Sequence, residues 1–203
     1  MNLRAYMLSL SLAGLGGSGA SAQGPQGLAN VAIRPGIQFI ANPFKGADNT
    51  VAQLIPQPAE GTELYTFTGG VFKTNKVVFG SWGNPYETLS PGEGAVVFNP
   101  STKPFTATFN GQLLQGNLIN QIPAGLSLKS SLVPMVGGIT STLGLKLAPF
   151  DNVYQWRSNR FEVYTLLPDG NWFPDEPRIT VAEAFFIRAH RATNWVRVFN
   201  INP

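Results

Sequence analysis

The chain has no cysteine. That excludes disulfides as a source of stability and a lipidated cysteine as an anchor, so an exported form of it must hold together by packing alone. It has one histidine, His190, with no metal-ligand spacing around it. A site built on that residue would draw its other ligands from carboxylates, and no metal is expected. Charge is sparse: 12% of residues carry it, 14 Lys and Arg against 11 Asp and Glu. No run of cations gathers the small excess into a face able to displace counterions, so nucleic acid is not expected as a partner. No P-loop, dinucleotide fingerprint or nucleophile elbow is present, and no cofactor is expected. Nor does any apolar run reach the about 20 residues that a membrane-spanning helix takes. The mature chain is therefore expected to carry no integral membrane segment.

What the chain has in quantity is apolar strand material and turns: 43% hydrophobic residues, 14 Phe, 22 Gly and 16 Pro. This balance suits an all-β protein. The first residues stand apart. Arg4, the apolar stretch 5–15 and the small residues Ala20-Ser21-Ala22 before Gln23 follow the order of a cleavable export signal. Residues 1–22 are read as a signal peptide and 23–29, rich in Gly, Pro and Gln, as a flexible lead. The mature protein is expected to be secreted, at the cell surface, extracellular or in the periplasm.

The remainder reads as one unit written twice. Glu63-Leu64-Tyr65-Thr66-Phe67 returns as Asn152-Val153-Tyr154-Gln155-Trp156, an offset of 89. The same register pairs Gly36 with Gly125, Phe39 with Leu128, Leu54 with Leu143 and Phe72 with Phe161. One added residue then pairs Trp82 with Trp172, Glu93 with Glu183 and Phe109 with Phe199. A period this long marks a small subdomain and not one link of a solenoid. Repeat 1 is placed at 30–116 and repeat 2 at 117–203, with 110–117 as a short linker too apolar for a loose tether.

Short strands fill each copy. Residues 30–33 and 37–41 flank Arg34-Pro35-Gly36, a tight turn. Residues 48–55 read as a helix of one or two turns, capped by Asp48 or Asn49 and stopped by Pro56, with 139–145 in the corresponding place. Residues 64–67 and 71–74 around Thr68-Gly69-Gly70 form a hairpin, as do 153–156 and 161–165. Strands 95–98 and 105–109 close the first copy, and 185–187 and 195–199 the second. The expected architecture is all-β: two tandem similar antiparallel units, each a small barrel or sandwich with at most one short helix, related by a pseudo-twofold axis.

The succession of Pro-Gly, Asn-Pro, a Tyr-x-aromatic hairpin, a loop bearing Trp82 and Leu89-Ser90-Pro91-Gly92-Glu93-Gly94 before an apolar run resembles a β-repeat of secreted proteins from environmental Gram-negative bacteria, often appended to larger surface proteins. The resemblance covers about residues 30–203. Copy two departs from it, with Val181-Ala182-Glu183-Ala184 at the Pro-Gly-Glu-Gly element. The resemblance implies secretion and a structural or binding role, and names neither activity nor ligand.

Glu93 and Glu183 are the residues to test for acid–base chemistry, since paired carboxylates can act across a glycosidic bond. A repeat position at the head of a strand is more simply filled by a Glu that accepts hydrogen bonds from turn amides, and no catalytic residue is assigned. Asp169, Asp175 and Glu176, near Trp172, offer loop oxygens suited to calcium but lack the spacing of a calcium loop. Trp82 and Tyr86 in one turn-rich loop, and Trp172 in its counterpart, either stack on a sugar or plug the ends of their units. The leading expectation is a non-catalytic structural or interaction protein, a subunit of an extracellular or cell-surface assembly, with protein partners or self-assembly by strand addition. The alternative is a carbohydrate-binding module with Trp82, Tyr86 and Trp172 as ligand-binding residues and a glycan as partner.

Overall fold

Wherever apolar and polar residues alternate over several positions the chain is extended, and it reverses at residues able to take positive φ. The computed structural model describes residues 8–9 and 24–201; the rest of the expected signal peptide lies outside the described residues. Half one contains β1 (Leu8–Ser9), β2 (Gln26–Ile33), β3 (Gly36–Ala41), α1 (Val51–Leu54), β4 (Glu63–Thr68), β5 (Val71–Val78), β6 (Ser81–Trp82), β7 (Gly94–Asn99) and β8 (Phe105–Gln112). Half two contains β9 (Gly116–Ile122), β10 (Gly125–Ser130), β11 (Gly137–Gly138), β12 (Asn152–Arg157), β13 (Arg160–Leu166), β14 (Trp172–Phe173), β15 (Arg178–Ile179), β16 (Ala184–Ala189) and β17 (Thr193–Phe199).

The halves share one plan. A five-stranded antiparallel sheet runs β3-β7-β4-β5-β6 in half one and β10-β16-β12-β13-β14 in half two. A ribbon, β2 with β8 or β9 with β17, covers its inner face. Apolar side chains from ribbon and sheet meet as Val31, Ile33, Leu64, Trp82, Val97 and Phe109 in half one and as Ile122, Leu143, Val153, Trp172, Phe185 and Trp195 in half two. The protein is all-β, and neither half closes into a barrel. No helix among the described residues is long and apolar enough to cross a membrane. The central hairpins turn on Gly69 and Gly70, at φ 61° and 82°, and on Ser158 and Asn159, at φ 49° and 61°. Two successive positive φ values are what a two-residue hairpin of right-handed twist requires.

A pseudo-twofold axis relates the halves, and backbone contacts reveal it. The Ala41 N–H donates to the Ala182 carbonyl at 2.9 Å and the Ser130 N–H to the Gly92 carbonyl at 3.1 Å. Isolated antiparallel bridges join Ile40 to Glu183 and Lys129 to Glu93. Positions 40 and 129 are equivalent, as are 93 and 183, so each bridge is the rotated image of the other, the self-complementary geometry of a twofold interface. A third apolar cluster fills this joint, with Ala41, Val96, Leu128, Ala184 and Phe186 at its centre. Phe186 sits among aromatic rings, 5.4 Å from Phe67, 5.6 Å from Phe39 and 6.2 Å from both Phe72 and Phe161.

Several expected boundaries move. β2 starts at Gln26, so 26–29 belong to the fold and not to a flexible lead, because β8 runs on to Gln112 opposite them. The linker shortens from 110–117 to Leu113-Leu114-Gln115 for the same reason, and repeat 2 begins with β9 at Gly116. The expected helix is a single turn whose N-cap, Thr50, makes no side-chain bond. Asn49 instead accepts from the Gly46 N–H and Asp48 from the Gln53 amide, and residues 139–145 form turns only. The closing strands are out of the expected step. Ile33 faces Phe105, while its counterpart Ile122 faces Thr193. The turn before β17, residues 190–192, is two residues shorter than 100–104 before β8, so Phe109 corresponds to Arg197 and not to Phe199.

Candidate functional site

Two clefts open where the halves meet, and they are twofold mates. In each, the hairpin tip of one half faces the edge strand of the other. The first lies between the β4–β5 tip, with the loop 84–89, and β10 with the turn before it; it encloses about 1050 Å³. The second lies between the β12–β13 tip, with residues 180–183, and β3 with its turn; it encloses about 370 Å³. The frames match, so side chains set the difference. Thr68, Gly69 and Gly70 line the first cleft where Arg157, Ser158 and Asn159 line the second, and Pro123 and Ser127 replace Arg34 and Gln38.

The repeated carboxylates diverge in the same direction. Glu183 is buried and fully engaged. It accepts from Arg157 Nη2 at 2.6 Å, Gln155 Nε2 at 2.9 Å, the Thr180 N–H at 2.9 Å and Thr180 Oγ1 at 2.8 Å. Glu93 keeps the turn contact, accepting from the Ser90 N–H at 3.1 Å, but is exposed. Thr66 and Thr68 stand where Gln155 and Arg157 do in half two, and Thr66 Oγ1 donates to Glu87 at 3.1 Å. Opposite Glu93 is Lys129, whose equivalent in half one is the core residue Ile40. Burial pulls the Lys129 ammonium below the usual lysine range against the opposing pull of the Glu93 charge. Among the described residues no carboxylate lies within ion-pair distance of it. Both repeated glutamates thus take turn amides, and each lines a cleft of its own.

The two loop tryptophans are core residues. Trp82 and Trp172 are 6% and 9% exposed, and their indole N–H groups donate to the Ile55 carbonyl and to Thr140 Oγ1, both at 3.0 Å. An indole whose ring is packed and whose donor is satisfied closes the end of a unit. Of the three rings named from the sequence, only Tyr86 is open, at 81% exposed, and it lines the first cleft. Glu176 holds the equivalent position in half two. It accepts from the N–H groups of Thr140 and Ser141 and from Ser141 Oγ, each at 2.7 Å. Burial would raise this carboxyl, and the three donors outweigh it, so Glu176 lies below the usual carboxylate range.

The remaining candidates do not converge. Asp169 caps its own turn through Asn171 and Asp175 is exposed. Among the described residues no group of three or more His, Asp or Glu is placed to hold a metal. His190 is exposed, its Nδ1 lying 2.8 Å from Asp151 Oδ1. Lys129, Thr68 and Ser127 escape a sequence search for catalytic residue types. The legible signal is a mismatch between the copies, a lysine aligned with an isoleucine.

The ribbons differ too. In half one β1 lies beside β2, Leu8 opposite Ala29 and Ser9 opposite Leu28; among the described residues no strand lies on the equivalent edge of β9. The outward face of half two carries Ile119, Val196 and Val198, 57%, 51% and 65% exposed. Half one has Asn30, Thr108 and Asn110 at the equivalent places, with Thr108 Oγ1 bonded to Asn30 at 3.0 Å. Neither edge strand contains a charge or a proline.

Comparison with protein-family models, with curated proteins and with solved structures found no match to this chain.

Proposed function

We propose that this protein is an exported, non-catalytic structural subunit that assembles with further copies of itself, extracellularly or at the cell surface, by strand addition at β2 and β9. The single observation that carries the reading is the unequal dressing of two equivalent ribbons. The edge of β2 takes up a strand from residues 8–9, within the expected signal peptide, above a polar outer face; among the described residues the equivalent edge of β9 takes up none, and its outer face is apolar. Edge strands in stable monomers are blunted by lysine, proline, bulges or extreme shortness, and β9 has none of these over its seven residues. Once residues 1–22 are removed, β2 and β9 both offer open edges at different places on the chain. Pairing β2 of one copy with β9 of the next is a head-to-tail contact, which builds open chains unless its rotation closes a ring.

The test is light scattering with negative-stain microscopy on protein beginning at Gln23, across a wide concentration range. Concentration-dependent, regular assemblies are expected, and Ile119→Lys, which puts a charge on an already exposed edge position, should leave a monomer with an unchanged melting temperature. A wild-type chain that stays monomeric at millimolar concentration would sink the proposal. Export is tested separately by N-terminal sequencing of the released protein, which should begin at Gln23.

A further inference from the structure

We infer that the first cleft binds an uncharged oligosaccharide, with Tyr86 as the stacking ring and Thr66, Lys73, Glu87, Glu93 and Lys129 as the hydroxyl-binding groups. The inference is independent of self-assembly, because the cleft lies at the joint between halves and not on the ribbons.

The comparison between twofold mates carries it. At three positions whose equivalents line the first cleft, half two ties down its own frame: Arg157 and Gln155 on Glu183, and Glu176 on the turn at Thr140 and Ser141. Half one has Thr68, Thr66 and Tyr86 at those three positions: Thr66 bonds Glu87 instead, and Glu93 keeps the Ser90 amide without the side-chain donors that hold Glu183. The result is a cleft of about 1050 Å³, at the upper limit of the roughly 300–1,000 Å³ range of small-molecule pockets. It suits a short oligosaccharide better than a single sugar ring. Its lining is amphoteric: it carries two ammonium groups, on Lys73 and Lys129, and two carboxylates, on Glu87 and Glu93. Equal and opposite charge gives no preference for an ionic ligand. It suits a partner whose every hydroxyl both donates and accepts, giving a proton to a carboxylate and taking one from an ammonium. Asn84 and the threonines 66, 68, 74 and 88 extend the same chemistry. An aromatic ring 81% exposed within such a lining offers an apolar face to the C–H face of a pyranose while its hydroxyl stays in water.

The experiment is isothermal titration calorimetry of the chain from Gln23 with cello-, xylo-, manno- and chito-hexaose, backed by a glycan array. Binding by at least one neutral glycan is expected. Tyr86→Ala should weaken it tenfold or more. Thr68→Arg, which writes the residue of the second cleft into the first, should abolish binding while keeping the melting temperature, since it places a guanidinium toward Glu93 as Arg157 lies toward Glu183. Neither change should alter self-assembly, so the two proposals fail separately. Binding that survives both substitutions, or no glycan bound at all, overturns the inference. So does a screen in which extended peptides bind, lose binding on Thr68→Arg, and no saccharide does.

Discussion

Phe186→Ala should cost about 3–5 kcal/mol of unfolding free energy and split one unfolding transition into two. Phe186 is 6% exposed and contacts rings from both halves: Phe39, Phe67 and Phe72 on one side of the joint and Phe161 on the other. Truncation removes four aromatic contacts at once and leaves a cavity that no single element can collapse into. Each half keeps a ribbon-on-sheet core that does not include this ring, so the loss falls on the coupling between halves. Urea unfolding followed by tryptophan fluorescence reads it, since Trp156 stacks near Phe39 at the joint, with centroids 6.1 Å apart. Trp82→Ala, by contrast, should weaken half one by a similar amount without first separating the halves. A Phe186→Ala protein that unfolds in a single transition near the wild-type midpoint would refute this account.

Glu183→Ala is the second large effect, about 3 kcal/mol. Its removal takes the carboxylate from Arg157 and Gln155, leaving both donors on the Arg178 carbonyl alone, at 3.3 and 2.9 Å, and frees Thr180, in a site where the carboxylate itself is 7% exposed. The arginine side chain is 36% exposed, and solvation of the freed cation places the cost at the low end of the range for a broken buried pair. The same change at the repeat-equivalent position, Glu93→Ala, should stay within about 0.5 kcal/mol, the size of a surface substitution. The contrast is the informative quantity. Two glutamates aligned in sequence differ in energetic weight because one copy supplies Arg157 and Gln155 and the other Thr68 and Thr66. Equal losses at the two positions, measured by chemical denaturation, would contradict the assignment.

The all-β class, the two similar halves and the hairpins were legible because each rests on local chemistry: alternation gives strands, and Gly69-Gly70 or Ser158-Asn159 gives the turn. The match of Trp82 to Trp172 was legible as well. The slip of the last strand was not, because the deletion of two residues near His190 leaves an equally good aromatic match, Phe109 with Phe199, that only strand register removes. Nor could exposure be read for Tyr86. Whether a ring in a turn-rich loop faces solvent depends on where the other half lies, and the wall opposite Tyr86 comes from residues 123–129 of the second copy. The clefts themselves are relations between copies. No residue type announces them, and they emerge only when the differences between aligned positions are placed on the joint.

The reciprocal backbone bonds at that joint also govern how the chain reaches its folded state. Ala41 completes its hydrogen bonding with Ala182, and Ser130 with Gly92, so the first half to leave a ribosome has an unsatisfied strand edge and uncovered aromatic rings until the last sheet strand of the second is made. Closing contacts of such long sequence separation slows folding, and a half left waiting offers its open edge to any neighbour in the same condition. A gene fragment ending at Gln115 would therefore encode a unit whose inner core lacks the Val181, Ala182, Phe199 and Ile201 that the second half packs onto it and whose outer face is unfinished, one that precipitates or pairs with a second copy in place of its missing twin.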